Sequence, residues 1–241
     1  MTRKEMKALA KSKLKGRWAN IVLLTFIITI IESAVKYFVS ESLIMNLTNN
    51  IIVVPALTAA TTIYVIKFVN TDCKVSLNEA IPSSGIWIRF IQVTLVWILF
   101  LIPVGLVFLA GEGLFIVIAS TIHAAMFMGS LPVNPLILIW GIALLIGLIC
   151  LLVLSIIAVF LFPLYYLVAE EQCGVFEAVS RSFTIMKGHK WELFVLGLSF
   201  LGWGALSILT FGIGLLWLFP YIQVTLRIFY LSITGRIEEV N

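Results

Sequence analysis

Glu32 and Lys36 stand together inside an otherwise apolar run of this 241-residue chain. They are four residues apart, in the order that favours pairing along one helix face. A lone charge in hydrocarbon costs ~2.5–3.5 kcal/mol on the insertion scale. The two therefore make either a polar site in the outer half of a bundle or a paired couple snorkelling to the interface. Gln92, Gln223 and Arg227 are the other polar groups within apolar runs. Gln223 and Arg227 are again four apart, which offers either a pocket towards the inner side or hydrogen bonding between helices, worth ~0.6 kcal/mol per contact. A further set is basic: Lys4, Lys7 and Lys11 near the N-terminus, and Lys187, His189, Lys190 and Trp191 ahead of a late apolar run. These residue types suit an anionic lipid surface or a protein partner.

Covalent or metal chemistry finds little to work with. The sequence has no HExxH, no GxSxG and no phosphate-cradling glycine loop. Glu170-Glu171 is similar to the paired glutamates of intramembrane prenyl-protein proteases, but Val175 stands where those need an arginine. Cys73, Cys150 and Cys173 share no CxxC spacing, and the spans drawn below put His123 and His189 on opposite sides of a membrane. No metal site, cofactor or disulfide framework is expected, nor is an enzyme.

The elements that must position these residues are helices in lipid. Hydrophobic residues make up 61% of the chain and charged residues 12%, about half the charge of a soluble domain. The expected fold is all-α: a polytopic membrane protein of about six transmembrane helices with cytoplasmic amphipathic helices. Residues 1–18 form a cationic amphipathic helix, with Met6, Leu9, Ala10 and Leu14 at helical spacing. Residues 19–232 form the six-span bundle, with spans near 19–38, 51–69, 88–110, 136–161, 193–210 and 215–226. Residues 233–241 are a tail. Short helices are expected near Ser76–Ile81 and in the loop after Val168. The uncharged run within 113–130 reads as an interfacial or re-entrant segment on the outer side. If it crossed, Arg181, Lys187, Lys190, Arg227 and Arg236 would move outside. As drawn, fifteen of the sixteen Lys and Arg face inward, as the positive-inside rule requires. Both termini are then cytoplasmic, and the net charge of +4 points to an anionic inner leaflet rather than to nucleic acid.

The last two spans form a tight hairpin around Phe211-Gly212-Ile213-Gly214. The pattern Gly188-His189-Lys190-Trp191, Leu198-Ser199-Phe200-Leu201-Gly202-Trp203, Thr210-Phe211-Gly212-Ile213-Gly214-Leu215-Leu216-Trp217 and Pro220-Tyr221 resembles the Gram-positive bacterial integral membrane proteins of domain of unknown function 975. More distantly it is similar to the membrane domain of some glycerophosphodiester phosphodiesterases, whose catalytic barrel is absent here. The first resemblance implies architecture and a Gram-positive plasma membrane, and no catalytic residues. A faint internal echo relates Leu77–Ile81 with Trp87–Phe90 to Val175–Val179 with Trp191–Phe194, at unequal spacings.

Two functions remain open. One is a non-enzymatic membrane protein that binds lipids or protein partners at the inner leaflet, a second copy of the chain among them. The other is a small transporter or channel-like permease. Prolines at 55, 103, 163 and 220 and the Glu32/Lys36 pair motivate it.

Overall fold

The computed structural model describes residues 1–39, 43–73, 75–127, 134–170 and 173–239. Helices dominate and no strand occurs among the described residues. Six are long and apolar enough to cross a membrane: Trp18–Phe38, Ile44–Asn70, Ser84–Ala125, Trp140–Glu170, Lys190–Leu209 and Leu215–Ile233. The expected all-α, multi-pass architecture is the one observed. The chain divides into two units, residues 1–94 with 159–241, and residues 95–158.

In the first unit, α1 (Arg3–Leu14) starts at a reciprocal cap. The Thr2 hydroxyl accepts from the Glu5 amide at 3.4 Å, and the Glu5 carboxylate accepts from the Thr2 amide at 2.8 Å. These bonds, which satisfy otherwise orphaned donors, hold the Glu5 carboxyl below its ordinary range. Met6, Ala10 and Leu14 are fully or almost fully buried, one per turn, and α1 packs along α10 (Leu215–Ile233). Gly16, at φ 77°, lets the chain turn into α2 (Trp18–Val39). Next to it, Arg17 donates to the carbonyls of Phe68 at 3.3 Å and Cys73 at 3.2 Å, and to that of Thr71. This guanidinium takes up the orphan carbonyls at the end of a helix, joining α1 to α4. Lys13 adds an ion pair with Asp72 at 2.8 Å, which keeps the Asp72 carboxyl low.

The second span is α3 (Leu43–Thr48), a π-helical turn over Asn49–Val53, and α4 (Val54–Asn70). The π turn lies where Pro55 has no N–H to give the ordinary ladder. Leu77–Ala80 is a single 3-10 turn, capped by Ser76 and Glu79. α5 (Ser84–Phe127) begins in this unit, and α6 (Asn134–Leu161) ends in it. α7 (Leu164–Glu170) follows the break at Pro163, and α8 (Val175–Ile185) is the second loop helix. The internal echo is thus unequal in structure, a four-residue 3-10 turn against an eleven-residue α-helix.

In the second unit, α5 and α6 pack with Phe115 against Trp140, ring centroids 4.9 Å apart, and with Gly111 opposite Ile146. Here the sequence reading needs correction. The separate outer segment expected at 113–130 is, over its described part 113–127, simply the last third of α5. Gly111 and Gly113 do not end the helix, because a helical glycine costs only ~1 kcal/mol and the flanking Leu, Ile and Phe propagate it. At ~1.5 Å per residue the 44 residues of α5 extend ~66 Å, about twice a ~30 Å hydrocarbon core. Leu131-Pro132-Val133-Asn134-Pro135 is a turn signal in the sequence; residues 131–133 of it lie outside the described residues, and Asn134 and Pro135 already belong to α6.

The hairpin of α9 (Lys190–Leu209) and α10 closes through a turn with Phe211 at φ 51° and Gly212 at φ 82°. The Gly212 amide donates to the Ser207 carbonyl at 3.0 Å, and the Gly214 amide to the Thr210 hydroxyl at 3.0 Å. A Cβ on Gly214 would stand 2.7 Å from Ser207 Oγ and 3.1 Å from Ser207 Cα, so the two helices approach too closely for any side chain there. Gly214→Ala is expected to destabilise the detergent-solubilised protein by about 1–3 kcal/mol, read as a lower Tm. Gly197→Ala meets open space on a helical backbone and should leave Tm unchanged or raise it. Equal melting of the two variants would refute close approach at the turn.

Candidate functional site

The N-terminal helix supplies one wall of a groove in the first unit. Lys4, Lys7 and Lys11, at i, i+3 and i+7, fall on one face of α1. The other wall comes from the hairpin: Trp203, Leu206 and Ser207 of α9, Thr210 and Gly214 of the turn, and Trp217, Leu218 and Tyr221 of α10, with Trp18 of α2 also lining it. The groove is open on one side and has a volume of about 610 Å³, inside the ~300–1,000 Å³ range of small-molecule sites. No Asp or Glu lines it. Ser207 and Thr210 donate their hydroxyl protons to the carbonyls of Trp203 and Ser207, each at 2.8 Å. The hairpin wall is therefore apolar in practice.

The lysines carry the charge. Lys7 Nζ lies 4.3 Å from the Phe200 ring centroid and donates to the Ser199 carbonyl at 3.3 Å. Lys11 Nζ is 5.9 Å from the Tyr221 ring. Such contacts partly compensate an ammonium for lost water. Even so, partial burial, followed by the positive charges of Lys11 and Arg3, pulls the Lys7 pKa below its ordinary value. An anion in the groove would relieve both effects.

The rest of the predicted basic set lies around the start of α9. Trp191 lies flat against Phe194, centroids 5.4 Å apart, and shares a hollow of about 360 Å³ with Arg3, Met6, Glu192 and Phe229. Lys190 Nζ sits 4.0 Å from the Phe160 ring, His189 pairs with Glu192 at 3.1 Å, and Lys187 is exposed. So Trp191 meets the start of α1, whereas Lys187, His189 and Lys190 stand outside the groove.

The predicted polar set is not gathered. Glu32 is half-buried, Lys36 exposed, and no ion pair joins them among the described residues. Gln92 and Gln223 are exposed. Arg227 is fully buried, and its side-chain partners lie on other elements than Gln223. Its guanidinium forks onto the Glu170 carboxylate, with Nη1 to Oε2 at 2.9 Å and Nη2 to Oε1, and reaches Asn70 Oδ1 at 3.4 Å. Arg236 donates to the same carboxylate at 3.1 Å, and the Tyr166 and Tyr230 rings flank Arg227, each centroid 5.4 Å from Cζ. A buried guanidinium needs an anion in fork geometry, which a glutamine cannot supply. That explains why the i,i+4 neighbour was not the partner. Glu170, Asn70 and the aromatic wall escaped the sequence reading. The available signal was a glutamate ending an apolar helix with Tyr166 one turn before it.

A family model described as Protein of unknown function (DUF975) matches residues 1–237. No curated protein and no solved structure matches the chain. The likeness to a glycerophosphodiester phosphodiesterase domain is not among the findings.

Removing one member of a buried pair leaves the other charged and unpaired, which costs about 3–5 kcal/mol. Glu170→Gln and Arg227→Met are each expected to lose stability on that scale in thermal or denaturant unfolding of the solubilised protein. The double variant Glu170→Leu/Arg227→Met should lose clearly less than the two single losses together. Strict additivity would mean that the pair contributes no coupling.

Proposed function

The chain belongs to the family of proteins of unknown function DUF975, and from its basic groove we propose a function for it. The protein is a non-enzymatic, multi-pass plasma-membrane protein with both termini in the cytoplasm, and it engages anionic lipid at the inner leaflet through α1. One observation carries this reading: Lys4, Lys7 and Lys11 lie in line beside a wall of tryptophans, with no acidic residue lining the groove. Lysine at an anionic surface contributes about 1 kcal/mol each, and tryptophan favours the interface where one end of a side chain is apolar and the other wet. The exposed Trp191, the outlying Lys187 and Lys190, and the α8 helix with Phe176 exposed on it extend the same chemistry along the unit.

The charge bias of the loops supports the orientation, since nearly all Lys and Arg fall on one side of the six-helix layout. A protein partner at the same surface would use the same cations. The permease reading needs a polar path past Glu32, Lys36 and Gln92, and none of these lines the groove.

Amide hydrogen exchange of α1 tests the proposal, with the full chain reconstituted in nanodiscs of phosphatidylcholine alone or mixed with phosphatidylglycerol. Exchange over Arg3–Leu14 is expected to slow in the anionic discs. The difference should shrink with added salt, as exposed charges are screened, and should vanish in Lys4→Gln/Lys7→Gln/Lys11→Gln. Equal exchange in the two membranes would falsify the lipid reading.

A further inference from the structure

We propose that the groove between α1 and the α9–α10 hairpin is a discrete binding site for one anionic phospholipid, held as a ligand and distinct from the lipid annulus. The inference rests on the anionic-lipid reading above and deepens it. Its support is the separation of two chemistries on facing walls. On the α1 wall, the exposed Lys4 and Lys11 carry their ammonium groups beside the groove, Lys11 Nζ 5.9 Å from the Tyr221 ring, and Lys7 spends one of its three donors on the Ser199 carbonyl. Three ammonium groups one helical turn apart match an acceptor with several oxygens spread around one centre, as a phosphodiester presents. On the hairpin wall, Trp203, Leu206 and Trp217 offer exposed apolar surface, while the hydroxyls of Ser207 and Thr210 are turned to backbone carbonyls. That wall is mainly apolar and takes a hydrocarbon chain, with the indole N–H groups of Trp203 and Trp217 and the Tyr221 hydroxyl as its remaining polar atoms.

Neither wall suffices by itself. A free inorganic anion would use the lysines and leave the tryptophans idle. A neutral apolar ligand would give the lysines of α1 no counter-charge and leave the partly buried Lys7 as depressed as it is. An amphiphile with an anionic head and an acyl tail satisfies both at once. At about 610 Å³ the groove takes the headgroup and the first part of a chain, and the remainder continues along the exposed faces of Leu201 and Trp203.

Native mass spectrometry in a neutral detergent provides the test, with phosphatidylglycerol or phosphatidylcholine titrated into the purified full chain. The expected result is one saturable adduct, retained about tenfold or more in favour of phosphatidylglycerol, a difference of ~1.4 kcal/mol. Lys4→Gln/Lys7→Gln/Lys11→Gln should abolish the preference. Leu206→Trp, at a half-exposed position that tolerates bulk, should fill the groove and abolish the adduct while α1 keeps its charge-dependent exchange behaviour in nanodiscs. As a check independent of mass, phosphatidylglycerol with brominated chains should quench tryptophan fluorescence, and Trp203→Phe/Trp217→Phe should remove most of that quenching. Inorganic phosphate alone should give no adduct. Graded, non-saturating adducts, or equal retention of the two lipids, would overturn the groove site. If that happens while the nanodisc exchange difference persists, the discrete site fails and the surface reading stands; if both vanish, both fail.

Discussion

A guanidinium cannot stay buried and unpaired, and the inner architecture of the first unit follows from how Arg227 meets that constraint. Its two terminal nitrogens fork onto Glu170, while Asn70 and Arg236 complete the cluster. Four chain segments are thereby brought to one point: the ends of α4 and α7, the middle of α10 and the C-terminal turn. The carboxylate also tolerates two arginines because both stack their charge around it, with tyrosine rings beside Arg227. Ion pairs of this kind are weak as net stabilisers but strongly directional. Here direction is what the fold uses, because α10 must stand in one orientation for α1 to lie along it.

From that fixed α10, the groove follows by short steps. Met6, Ala10 and Leu14 press one face of α1 into the cluster that holds Val224, Ile228 and Phe229. Helical periodicity then fixes where the remaining residues of α1 point, and Lys4, Lys7 and Lys11 fall along the hairpin, Lys7 over the Phe200 ring and Lys11 towards Tyr221. The hairpin brings Trp203 and Trp217 to the same side because its turn is too tight for a Cβ at Gly214. Thus the ion cluster sets the angle of one wall, and a glycine sets the spacing of the other. Neither device belongs to the groove.

Legibility in the sequence tracked the range of the interaction. The existence and type of the apolar helices, a short helical element near Ser76–Ile81 and the hairpin at Phe211–Gly214 are local matters of hydropathy, capping and glycine. They were readable. The continuity of α5 was not, since two glycines and a lone Glu112 look like a boundary, whereas the run of Leu, Ile and Phe around them outweighs two propensity costs. The pairing of Arg227 with Glu170 was invisible for a different reason. The residues are 57 apart, and any of several acids could have served. Gln223 was grouped with Arg227 only because helical spacing is what a sequence displays.

The basic face of α1 shows how a correct local reading can still miss the site. Lysines alternating with Met6, Ala10 and Leu14 describe a cationic helix lying on an anionic surface, and nothing in that pattern says what the lysines face. In the fold they face aromatic rings, as Lys7 does over Phe200 and Lys11 towards Tyr221. A lysine over a ring is only partly compensated for lost water, unlike one in open solvent or one paired with a carboxylate. Lys13 belongs to the paired kind, since Asp72 holds it. The contrast separates the jobs within one segment: Lys13 and Arg17 fasten α1 to the end of α4, which leaves Lys4, Lys7 and Lys11 to line the groove without a carboxylate beside them.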